Sequence, residues 1–251
     1  MQPTFLSCVE SKIYNHGQIY ARFHFGTFFP GQALTVANAL RRTLLSELPG
    51  IVITSVQFEG ADHEFAILPG VQESILDIVL NLKQLVFRSS FENLNEFTEN
   101  PFSKSLFVKI KGPAQITAAD LKLPPYLSCV DPTGYIATVS PTGELAFTLE
   151  LKLKTHQELF SKSDNQIQQK MEKGKIFCLD TVPMPIQKVN YLIHQLESKK
   201  EFEYISLEIW TDGSIHPIQA LEFALKKLTK LFFDFMKLTQ QIFPGSKIEK
   251  V

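Results

Sequence analysis

The segment 217-PIQALEFALKKLTKLFFDFMKLTQQI-242 decides how the rest of the chain is read. Ile218, Leu221, Leu225, Leu228, Phe232, Phe235 and Ile242 recur at alternating spacings of three and four, broken only at Thr239, which is the period of one helix face. Ala224, Leu231 and Leu238 widen that stripe, while Lys226, Lys227, Lys230, Asp234 and Lys237 occupy the other side. About 25 residues rising 1.5 Å each make a rod of ~38 Å, longer than one small domain needs. Two readings stand at this level: the rod joins two molecules, or the protein's own sheet wraps it.

Working back along the chain, 38-NALRRTLLSELPG-50 closes a second helix. Val36, Ala37, Leu40, Leu44, Leu48, Leu34 and Leu45 cover roughly half its circumference, so it has more than one apolar neighbour. With ~100° between successive residues, Arg41 projects inside the apolar arc and Arg42 projects with Asn38, Thr35 and Ser46 on the polar side. Pro49 lacks the backbone donor and Gly50 suits a left-handed cap, so the helix is expected to stop there. An arginine pair among leucines has two readings: stems laid on apolar surface with heads in solvent, or planar donors aimed at carboxylates and carbonyls of a partner.

Between these helices the pattern is mainly β. Gln18–Phe25 alternates and leads through Pro30 and Gly31 into the arginine helix, and "IVITSVQFEG" follows as a strand. "GVQESILDIVLNLKQL" places Val71, Ile75, Ile78, Leu82 and Leu85 at helical spacing, with Glu73 early and Lys83 late, as the helix dipole prefers. "SLFVKIKG", "GYIATVS" and "ELAFTLELKLK" alternate as strands, with turn chemistry at Asp131-Pro132-Thr133-Gly134 and Pro141-Thr142-Gly143. Phe91 to Lys104 and Thr155 to Lys175 are polar and read as surface loops. "ISLEIWTDGSIHP" gives a strand, a turn at Asp212-Gly213 and a helix start at Pro217.

The 251 residues and 44% apolar content support a sizeable core. Twenty-five Lys plus Arg against 26 Asp plus Glu leave no global positive field for sequence-independent grip on nucleic acid. Three dispersed cysteines, Cys8, Cys129 and Cys178, form no CxxC pair and read as thiols of a reducing compartment. Neither a membrane span nor a signal peptide is indicated. The "DHEF" stretch, Asp62–Phe65, lacks the second histidine of an HExxH zinc site and is expected at a strand or strand end. No phosphate loop, dinucleotide fingerprint, nucleophile elbow or dense carboxylate cluster occurs, so no active site is expected in this chain.

Taken together, "NALRRTLLSELPG", "GVQESILDIVLNLK", "TAADLKLPPY" and "LEIWTDGSIHPIQAL" resemble the N-terminal assembly region of the alpha subunit of bacterial-type DNA-directed RNA polymerase, in order and spacing from about Phe5 to Ile242. "CVES", "PGQALT" and "LDTVPMPIQKVNYLIH" resemble the plastid-encoded branch in particular. The resemblance implies an α+β fold. A discontinuous dimerisation subdomain, residues 1–51 and 182–251, would pack two long helices on a sheet, and residues 52–181 would form an inserted, mainly β subdomain contacting the large subunits. It implies a beta-subunit contact at Asn38, Arg42 and Leu45, and a further large-subunit contact at Lys83. It also implies a homodimer interface at Arg41, Leu40, Leu44, Leu221, Leu225, Leu228, Phe232 and Phe235, with Arg41 partly sheltered near the seam. The expected partners are beta, beta' and beta'' type subunits, with a sigma factor reached indirectly, little direct DNA contact and plastid localisation. Catalytic residues and cofactors are expected to be absent here, with Mg2+ in the catalytic partner. Family members usually continue into a promoter-contacting C-terminal domain, expected absent here because the sequence stops at Val251. An Arg-Gly-rich stretch of bacterial members is replaced by "THQELFSKSDNQ". The rival readings are an archaeal or eukaryotic alpha-like subunit, a free-standing dimeric interaction protein, and a small-molecule enzyme with a β-rich pocket.

Overall fold

A computed structural model describes residues 5–14, 17–90, 103–155, 176–196 and 199–242. The stretches read as surface loops, 91–102 and 156–175, lie outside the described residues, while Ser103 onward is already strand.

Four long antiparallel strands build the first sheet: β1 (Phe5–Ile13), β2 (Ile19–Phe28), β11 (Ile186–Leu196) and β12 (Lys199–Thr211), in the order β1-β2-β12-β11. One face carries Ala21, Phe23, Ile205, Leu207 and Ile209, and onto it pack α1 (Gln32–Ser46) and α3 (Pro217–Ile242). Period-two alternation supplies that apolar face. The opposite face is polar and aromatic: Arg22 pairs with Glu208 at 2.9 Å, Tyr20 donates to the same carboxylate at 3.1 Å, and Lys188 lies 4.9 Å over the Trp210 ring. Gly31, at φ +87°, turns the chain from β2 into α1, a left-handed position that glycine adopts without steric cost.

The second core lies between residues 53 and 179. Here β3 (Gly50–Phe58), β5 (Ser103–Lys111), β9 (Glu144–Lys154) and β10 (Ile176–Cys178) form a sheet in the order β10-β3-β9-β5. Two small ribbons accompany it, β4 (Phe87–Ser89) with β7 (Leu127–Cys129) and β6 (Ala114–Thr117) with β8 (Tyr135–Val139). Helix α2 (Ile75–Lys83) buries Ile75, Ile78 and Leu82 in this core.

Three local expectations are corrected. Helix α2 starts at Ile75, not near Val71, because Ser74 caps it: Ser74 Oγ accepts from Asp77 N at 3.2 Å and Asp77 Oδ2 accepts from Ser74 N at 3.3 Å, the reciprocal capping box. Val71, which fits the helical spacing, instead bridges Val139. Gly50 does not cap α1, which ends at Ser46 with Glu47 as its cap; Gly50 opens β3, and its missing side chain admits Pro183, whose Cβ would lie 2.6 Å from a Cβ at Gly50. The "DHEF" residues form bends and a turn before α2 and belong to no strand.

Candidate functional site

Helix α3 has a polar start. His216 Nδ1 accepts from Ile218 N at 3.3 Å, Gln219 Oε1 accepts from His216 N at 3.4 Å, and Pro217 takes the first helical position, where a backbone donor is not missed. Burial, and then the nearby Arg88 guanidinium, hold His216 below the usual histidine range, which keeps the accepting nitrogen free of a proton.

Past that start, the helix divides into two lengths of different character. Ala220, Leu221, Phe223 and Ala224 are sealed in the first core, and Leu228 is half-buried against it. From Thr229 to Thr239 every side chain is exposed, including Leu231, Phe232, Phe233, Phe235, Met236 and Leu238. Phe232 is 64% and Phe235 59% exposed. Eleven residues at ~1.5 Å each make a rod of roughly 16 Å that is apolar around most of its girth. An apolar surface of this continuity is the signature of an association site.

The interface set therefore separates by location. Leu225 (42% exposed), Phe232 and Phe235 are available to a partner, whereas Leu40 (0%), Leu44 (1%) and Leu221 (3%) are not. Within a single chain those three lie in the first core, because the stripe that faces a neighbour in sequence terms faces the protein's own sheet here. Leu40 and Leu221 nonetheless floor an open groove of about 410 Å³ whose walls are Phe5, Leu6, Phe25, Phe28 and Leu225. Strand β1 supplies Phe5 and Leu6, and it is an edge strand exposed along nearly its whole length. It has no buried face, which is why alternation did not reveal it in the sequence.

On α1, Asn38, Arg41, Arg42 and Leu45 are all exposed. Arg41 is thus unsheltered within a single chain, and any cover must come from outside it. Asn38 is held in place, its Oδ1 accepting from Tyr191 Oη of β11 at 2.8 Å. Leu45 lines a cleft of about 620 Å³ between the two cores, and Lys83, at the end of α2, lines the same cleft. Val182 and the exposed Met184 join them there, two residues that sequence reading did not single out. The structure thus brings Leu45 and Lys83 into one recess that presents apolar surface with a cation beside it.

Among the described residues catalytic chemistry has no comparable constellation. Among the described residues no group of three or more His, Cys, Asp and Glu side chains is placed to hold a metal ion, and no described helix is long and apolar enough to cross a membrane. Cys129, its thiol donating to the carbonyls of Val86 and Asp131, is pushed up by burial, away from the thiolate a nucleophile needs.

A sheet backed by two helices, one of which runs out beyond the core with its apolar side chains uncovered, defines a scaffold whose work is association. Comparison with known proteins agrees. Residues 27–232 match the family of the RNA polymerase Rpb3/Rpb11 dimerisation domain. The chain is 42% identical to the DNA-directed RNA polymerase subunit alpha of Chlorella vulgaris, over 94% of this chain and 97% of that one. It is 34% identical to the alpha subunit of Cyanidium caldarium (98% and 76%) and 38% identical to that of Mesostigma viride (92% and 69%). The chain belongs to the alpha-subunit family of DNA-directed RNA polymerase, parts of a nucleotidyltransferase complex.

Proposed function

We propose that this chain is a homodimeric assembly scaffold of a plastid RNA polymerase. Two copies join through the outer half of α3, and each then receives a different large subunit. The observation that carries this reading is the run of exposed apolar side chains from Leu231 to Leu238, beside an open apolar groove on the same molecule. Burying Phe232 and Phe235 is worth roughly 2–3 kcal/mol each, enough to offset much of the cost of association. The face carrying Asn38, Arg42 and Leu45 receives the beta subunit, and Lys83 contacts a large subunit from the other wall of the cleft. Beta, beta' and beta'' type subunits are the partners, the catalytic carboxylates and the Mg2+ they hold lie in those partner chains, and a sigma factor is reached only through the assembled enzyme. Plastid localisation is supported by the algal and plant origin of the relatives.

The test is the mass of the purified chain by light scattering, followed by mixing with an isolated beta subunit. A dimer of the 28.5 kDa chain that captures beta is the expected result. Phe232→Glu with Phe235→Glu leaves the monomer fold intact, because both side chains are already exposed, and shifts the dimer toward monomer by about a hundredfold in Kd. A double variant with an undiminished dimer would remove the outer half of α3 from the interface. A wild-type chain that pairs only with a second, smaller alpha-like protein would instead support the heterodimeric reading.

A further inference from the structure

Two polypeptide segments cross between the cores, residues 48–53 and 179–186, and they run side by side. Thr181 Oγ1 donates to Ile53 O at 2.6 Å, Leu179 N donates to Thr54 O at 2.9 Å, and Gly50 lies against Pro183. Two adjacent crossings form a narrow, hinge-like connection between the cores. A third tie, remote in sequence from both, braces it. Arg88 of β4 donates from Nε to the carbonyl of Gly213, in the turn between β12 and α3, at 2.7 Å.

The contact around this bond is tight. Gly213 sits at φ +90°, where a side chain would be strained, and a Cβ there would lie 2.3 Å from Gly17 O and 2.8 Å from Val130 Cγ1. Gly17, at φ +76°, is pressed against the same Val130, at 2.3 Å from its own ideal Cβ. Val130 comes from the second core's loops, whereas Gly17 and Gly213 flank strands of the first sheet. The Gly213 turn is itself fixed: Asp212 Oδ1 accepts from Ser214 N at 2.8 Å and from Ser214 Oγ at 2.5 Å, and Asp212 N donates to Pro185 O at 3.1 Å. The arginine therefore grips a rigid carbonyl.

Resting on the functional reading above, we propose that Arg88, with the Gly17–Gly213–Val130 stack, is a clasp that sets the angle between the two layers. It thereby positions Leu45 and Lys83 to meet one large subunit together. Leu45 belongs to the α1 wall of the cleft and Lys83 to the α2 wall, and Asp212 and Ser214 of the gripped turn line the same cleft. Arg88 is thus a positioning residue for assembly, though it need touch no partner. Side-chain deletion leaves each core whole and frees only the angle between them.

The experiment places spin labels at Ser46→Cys on α1 and Leu80→Cys on α2, both exposed, in a Cys8→Ser background, with labelled chain diluted into excess unlabelled chain so that each dimer carries one pair. Arg88→Ala should broaden the inter-label distance distribution and weaken capture of isolated beta subunit about tenfold, with dimer mass and far-UV circular dichroism unchanged. Arg88→Lys, which retains a donor, should narrow the distribution again and recover part of the capture. If Arg88→Ala does not fold, Val130→Ala thins the stack without removing a charge and carries the same two readouts. An unchanged distribution overturns the clasp, and a broadened one with undiminished capture overturns its role in positioning Leu45 and Lys83. A wild-type chain that captures no beta subunit overturns the functional reading instead, and the label distances still decide whether Arg88 holds the layers.

Discussion

Arg41 and Arg42 stand one position apart on α1 and both reach solvent, yet their surroundings differ. Arg42 shares its side of the helix with Asn38, which Tyr191 fixes, and with Leu45 at the cleft. A planar five-donor group beside an immobilised amide and an apolar recess is suited to carboxylates and carbonyls of a docking protein. Arg42→Ala should leave the dimer mass unchanged and weaken beta capture by about 2 kcal/mol, roughly thirtyfold, the scale of one charge-assisted hydrogen bond. Co-purification of beta at the wild-type level with the variant would remove Arg42 from the contact. Leu40, two positions before Arg42, is a contrast, since it is fully buried beneath the helix. Leu40→Ala should cost about 3 kcal/mol in unfolding free energy, seen as a lower urea midpoint, through the cavity it leaves. A midpoint shift under about 0.5 kcal/mol, the size of a surface effect, would contradict its place in the core.

At the scale of elements, α3 shows how one periodic stripe serves two purposes. Its first turns spend their apolar residues on the chain's own sheet, and its later turns keep theirs uncovered. The start of the helix is also where pH acts. The folded chain holds His216 below the ordinary histidine range, so as pH falls from about 7.5 to 5.5 the unfolded chain takes up a proton that the folded one resists, and stability declines. His24 works in the same sense, through burial first and then His194 and Arg22. His216→Asn retains an N-cap acceptor that does not titrate. Its unfolding midpoint should therefore fall less steeply across that pH interval than the parent's, and parallel slopes would show that His216 carries none of the dependence. Strand β1 and helix α2 illustrate the limits of local reading: β1 has no buried face to announce it, and α2 is shortened at its start by a serine cap that outweighs a well-placed valine.

At the scale of the whole molecule, two cores meet along a cleft, and the pieces of chain that form each are far apart in sequence. Residues 21–48 and 186–224 share one core, while residues 53–179 build the other. Helix periods, strand alternation, and the turns at Asp131–Gly134 and Asp212–Gly213 were all legible in the amino-acid order. They depend on neighbours a few residues away, and local backbone geometry imposes those periods directly. Which leucines of a stripe are consumed inside was not legible, because burial depends on what packs opposite: Leu40, Leu44 and Leu221 read like Leu225 and Phe232 until the sheet lies beneath them. Arg88 gave no signal either, for its partner is a backbone carbonyl 125 residues away, and a carbonyl has no side-chain identity to read. The sequence by itself determined most of the elements, β1 excepted, and the scaffold class. Only the tertiary structure decided which surface remained free for partners and what holds the two layers at their angle, since both are properties of residues brought together by folding.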